Sequence, residues 1–80
     1  MKLFLLTQDE ETDYDTYDSV VVAAMSINDA LMIHPSEYQQ NWLGERTYEW
    51  PDIKHVQATY IGDAITGAEA GIILSSFNAG

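Results

Sequence analysis

The segment Ser19-Val20-Val21-Val22-Ala23-Ala24-Met25-Ser26-Ile27-Asn28-Asp29-Ala30-Leu31 changes its side-chain period at Met25, and that change separates a strand from a helix. Up to Ala24 the β-branched valines dominate, and their stiff χ1 suits a pleated surface. Beyond Met25, Ser26 stands where a helix N-cap belongs. Asp29 lies three residues on, where a carboxylate meets free amides and the positive end of the helix dipole. Ile27, Ala30, Leu31 and His34 then recur at i, i+3, i+4, i+7 and form one apolar stripe, with Met25 placed to staple against Ala30. Pro35 disfavours helical geometry at His34 and predicts a helix of about two turns.

Upstream, Leu3 to Leu6 is a short apolar run that predicts a strand buried on both faces or central in a small sheet. It is too short for a secretory leader, because Thr7, Gln8 and Asp9 follow at once. Gln8 to Asp18 has no apolar period and reads as a loop or the flared end of a hairpin. Downstream, Ser36 to Gln40 offers a weak second turn. Asn41 to Asp52 carries Trp42, Gly44, Tyr48, Trp50 and Pro51 without a steady period, a loop whose aromatics either pack on the core or are displayed. His55 to Ile61 alternates, with Val56, Ala58 and Tyr60 on one face and His55, Gln57 and Thr59 on the other, which predicts a half-exposed strand. Gly71 to Phe77 predicts the fourth strand, joined to the third by a longer hairpin loop containing Gly62 and Gly67. The expected fold is α+β: a single domain over residues 1–80, a small four-stranded, mostly antiparallel sheet with one helix across a face, in the order ββαββ.

A chain of 80 residues buries roughly two thirds or less of its unfolded surface, which argues against a deep substrate cavity. With no cysteine there is no disulfide framework or thiolate metal site, as suits a reducing compartment. No stretch reaches the roughly twenty apolar residues of a membrane helix. The formal charge of -10 repels nucleic acid and anionic lipid and selects basic partners.

Six of the thirteen carboxylates fall within ten residues, Asp9, Glu10, Glu11, Asp13, Asp15 and Asp18, with Tyr14 and Tyr17 among them and no Lys or Arg from Leu3 to Glu45. A charge run is ordinarily a solvated face that keeps a small protein soluble. Solubility does not require crowding, however, and carboxylates spaced along a loop imitate a row of phosphates while tyrosines add rigid contact area. Arginine and lysine lining a nucleic-acid groove would meet such a surface with charge-assisted bonds and rapid, steered encounter. Trp42, Tyr48 and Trp50 form a secondary candidate contact, against the plainer reading that they close the core.

Other chemistries fit less well. Alternating acids from Asp9 to Asp15 resemble the start of a calcium loop, but the glycine at position six and the glutamate at position twelve are missing. His34 and His55 lie on separate elements without a close-spaced ligand, so no metal site is expected. Ser26, Ser75 and Ser76 lack a nucleophile elbow, the paired acids lie in a solvated loop, and no glycine-rich phosphate loop occurs. The chain is expected to be no enzyme and to need no cofactor.

Tyr14-Asp15-Thr16-Tyr17-Asp18-Ser19 leading into Val20 to Ala24, with the ending Ile73-Leu74-Ser75-Ser76-Phe77-Asn78-Ala79-Gly80, resembles a family of small, mostly uncharacterised bacteriophage proteins. The likeness spans the first thirty-five and the last ten residues and carries no catalytic motif; Gln39 to Pro51 is where length would vary. It implies an inhibitor of host defence, including the anti-CRISPR type that blocks the DNA-binding surface of a Cas effector in the host cytoplasm. On that reading Asp9, Glu10, Glu11, Asp13, Tyr14, Asp15, Tyr17 and Asp18 contact a basic, nucleic-acid-binding defence protein, with no direct contact to nucleic acid or membrane. The alternative is a structural or assembly protein that forms a homodimer through a sheet edge or the Trp42 to Trp50 loop, its acids serving only solubility.

Overall fold

A computed structural model of the chain describes residues 1–78; Ala79 and Gly80, the end of the C-terminal stretch quoted above, lie outside them. Strands β1 (Lys2–Thr7), β2 (Thr16–Ala24), β3 (Gln57–Asp63) and β4 (Gly71–Asn78) form one sheet in the order β3-β1-β2-β4, with helix α1 (Ile27–Leu31) and a single 3-10 turn (Ile53–His55) between β2 and β3. Every neighbouring pair is antiparallel. The α+β class and the ββαββ order are as expected, and the Leu3 to Leu6 run lies at the centre of the sheet.

Register separates the two faces. Rows such as Tyr60-Phe4-Val22-Ile72 and Ala58-Leu6-Val20-Ser75 turn one way, and rows such as Thr59-Leu5-Val21-Leu74 and Gln57-Thr7-Ser19-Ser76 turn the other. The first face carries the core: Phe4, Leu6, Val20, Val22 and Ala24 are buried with Ala30, Trp42, Trp50 and Val56. Helix α1 and the long segment that follows it are the layer that covers this face. On the second face Leu3, Leu5 and Val21 are half-buried and Leu74 is 69% exposed.

Helix α1 starts as its cap residue dictates, with the Ser26 hydroxyl accepting from the Asp29 amide at 3.2 Å. It ends at Leu31, a turn sooner than Pro35 alone requires. His34 is buried outside the helix, where its Nδ1 accepts from the Ser36 amide at 3.0 Å and fixes a turn instead. Met25 is exposed rather than stapled.

Two further expectations are corrected. Strand β2 begins at Thr16, so Tyr17 and Asp18 belong to the sheet and not to the loop; Thr16 pairs with Asn78 and Tyr17 with Phe77, a tertiary pairing that the acidic composition conceals. Asp18 is the extra residue of a bulge between Tyr17 and Ser19. Strands β3 and β4 do not form a hairpin. They occupy opposite edges, and residues 64–70 cross the end of the sheet, tied down by the Ala64 amide donating to the Met1 carbonyl at 2.9 Å. Three strand spacings amount to about 14 Å, well within the reach of seven extended residues at about 3.3 Å each.

Candidate functional site

Gln8 builds the acidic loop. Its side-chain carbonyl accepts from the amides of Glu10 and Glu11, each at 2.8 Å, while its Nε2 donates to the carbonyls of Glu11 at 2.8 Å and Tyr17 at 2.7 Å. One side chain thus satisfies four backbone groups and joins the loop entrance to the start of β2. At the far turn Thr16 is buried, and its hydroxyl donates to the Asp13 carbonyl at 2.7 Å. Asp15 sits between them in the left-handed region at φ 63°, a conformation that aspartate tolerates better than most residues. Its amide donates to the Asn78 carbonyl and fastens the turn to the end of β4. The loop is therefore a bonded structure.

That framework turns Asp9, Asp13, Asp15 and Asp18 into solvent, with Tyr14 68% exposed beside them. Glu10 is also exposed, with Oε1 4.0 Å from His55 Nε2, and His55 Nδ1 in turn lies 2.7 Å from Asp52. Glu11 departs from the expected pattern: both carboxylate oxygens accept from the Arg46 guanidinium, through Nε and at 3.1 Å through the second nitrogen. This pair holds the Arg46 pKa above its usual value, first through the hydrogen bond and then through the charge. Arginine thirty-five positions away thus neutralises one of the six acids, and His55 flanks a second.

The aromatic candidates divide. Tyr17 is half-buried, its ring edge-to-face with Phe77 at 4.8 Å and with His34 at 6.4 Å, so it supports the loop from below. Trp42 and Trp50 are 5% and 0% exposed and belong to the core, which settles against display at these two positions. The Trp42 indole donates to the Glu45 carbonyl at 2.5 Å and packs edge-to-face on His34 at 5.4 Å. Tyr48 is 67% exposed and remains a surface residue.

His34 is the buried titratable group. Its Nδ1 accepts from Ser36, so Nε2 carries the proton and donates to the Thr47 hydroxyl at 2.8 Å, and that hydroxyl donates to the Trp50 carbonyl at 3.3 Å. Burial lowers its pKa to about 4, with Glu45 opposing the shift weakly. The neutral imidazole is a structural strut.

Gln8, Arg46 and Asp52 are not singled out at the level of sequence, and His55 is weighed there only as a metal ligand. Only Asp52 and His55 carry a local signal, the i, i+3 spacing of an acid and a histidine after Pro51. Among the described residues no three His, Asp or Glu side chains converge as metal ligands, and no helix is long and apolar enough to cross a membrane. The hollow beside the loop, lined by Thr7, Gln8, Asp9, His55 and Gln57, holds about 180 Å³, less than the roughly 300 Å³ from which small-molecule sites start. No protein-family model, curated protein or solved structure matches the chain.

Proposed function

We propose that the chain is a non-enzymatic, phage-encoded inhibitor of host defence, of anti-CRISPR type, whose acidic loop occupies a basic nucleic-acid-binding site of a Cas effector in the host cytoplasm. The phage setting rests on the sequence likeness. The observation that carries the binding mode is the Gln8 framework, which orders the loop in advance while leaving Asp9, Asp13, Asp15, Asp18 and Tyr14 open to solvent. Ordering the loop beforehand lowers the conformational cost of docking. Carboxylates held at one end of the sheet then compete with phosphates for lysine and arginine.

The test is competition on purified Cas effector complexes with labelled target DNA. The wild-type chain displaces DNA, and its affinity falls steeply between low and high salt. Asp13→Asn, Asp15→Asn and Asp18→Asn together remove displacement and leave the circular dichroism spectrum unchanged, because exposed charges contribute little to stability. Displacement that survives the triple substitution rejects the loop as the contact.

A further inference from the structure

The two edges of the sheet are chemically unlike. Strand β3 ends in Asp63, whose carboxylate is engaged by the Tyr60 hydroxyl at 2.8 Å, and its other end follows the turn that carries Lys54 and His55, the latter 4.0 Å from Glu10. Strand β4, Gly71-Ile72-Ile73-Leu74-Ser75-Ser76-Phe77-Asn78, carries no charge and no proline in a chain of net charge -10. Its outer edge has no backbone partner among the described residues, and Ile73, Leu74 and Phe77 are exposed along it. Proteins ordinarily blunt such an edge with lysine, proline or a covering element, because its unpaired amides and carbonyls template another strand. A single bulge at Ile73 is the one irregularity on β4 itself.

We propose that β4 pairs with β4 of a second copy of this chain, antiparallel, so that two four-stranded sheets join into one of eight strands. Charge selects this occupant. A basic partner finds its match on the acidic loop, whereas the β4 edge offers only backbone hydrogen bonds and uncharged side chains, and an identical edge complements both. Direction follows from the position of the acids. The loop is fastened to β4 at Asn78, so parallel strands would bring two acidic loops side by side. Antiparallel overlap instead sends them to opposite ends, roughly 23 Å apart at about 3.3 Å per residue, beyond a Debye length of about 8 Å at physiological salt. Glu69 and Glu37 border the strand from neighbouring segments, and Asp13 and Asp15 stand at its Asn78 end. Their repulsion weakens with salt, so dimerisation strengthens as salt rises, opposite in sign to docking of the acidic loop on a basic partner.

Sedimentation equilibrium across micromolar to millimolar concentrations tests this. Two variants place carboxylates in the same two sheet rows at opposite edges: L74E with S76E on β4, and Q57E with T59E on β3. All four positions are exposed, both variants carry the same added charge, and neither creates a partner for the acidic loop. The expected result is a mass of twice 9.0 kDa for wild type and the β3 variant, and a monomer for the β4 variant with an unchanged circular dichroism spectrum. Amide exchange in wild type slows along β4 as concentration rises. A wild-type chain monomeric at every concentration overturns the proposal. So does a dimer that survives the β4 variant, or one lost equally in both, since either places the contact elsewhere.

Discussion

His34 shows how one residue couples the loop, the core and pH. Its ring touches Tyr17 beneath the acidic turn and Trp42 in the core, and its two nitrogens bond Ser36 and Thr47. With a folded pKa of about 4 against an ordinary 6.5, the unfolded chain takes up a proton that the native state refuses. Stability is therefore complete above pH 6.5 and lost as pH falls from 6.5 toward 4. At about 1.4 kcal/mol per pKa unit the loss approaches roughly 3 kcal/mol, a large share of the roughly 4 to 12 kcal/mol expected for a domain of this length. The comparison that isolates the histidine from any other effect of acid is wild type against His34→Gln. Urea unfolding at pH 7 and pH 4.5 should show the wild type losing the greater stability, and equal losses would remove His34 as the acid-sensitive strut.

At the level of elements, the strands that carry their own pattern were legible and the adjacency between them was not. The valines of β2 and the Ser26 cap with Asp29 each state a local rule that the fold obeys. The pairing of β4 with β2 depends instead on Val21 meeting Leu74 and Val22 meeting Ile72, a match between stretches fifty residues apart, and a seven-residue link fits a hairpin and a crossing equally well. Likewise the acids of the loop were plain, while the side chain that shapes them was hidden. Glutamine before an acidic run signals nothing until Tyr17 returns to place its carbonyl within 2.7 Å. Gln8→Leu tests this account, since it strands two amides and two carbonyls that solvent must then satisfy. The expected outcome is a loss of about 1 to 3 kcal/mol with fast amide exchange confined to Glu10, Glu11 and the Asp13 to Tyr17 turn. Protection unchanged in those amides would mean that the loop is held by the strands alone.

For the whole molecule the governing quantity is unbalanced charge. Three basic residues face thirteen carboxylates, and Arg46 with Glu11 is the one lysine or arginine ion pair among the described residues. The body measures 36 × 23 × 22 Å. At about 0.01 M salt the Debye length of about 30 Å spans nearly all of it, so every carboxylate repels every other; at about 0.1 M it shrinks to about 10 Å and only neighbours interact. Screening therefore removes long-range repulsion first, and the one lysine or arginine pair it weakens is that of Arg46 with Glu11. The melting temperature should rise as sodium chloride increases across that range. Arg46→Ala should lower it slightly at every salt concentration without changing the direction of the trend. The measurement belongs at high dilution, because edge pairing would also strengthen with salt and raise the midpoint by mass action. A midpoint that falls with added salt would mean that attractive pairs outweigh repulsion. The acids would then be engaged within the fold, and a loop already neutralised by its own chain has no unmet charge to offer a basic partner.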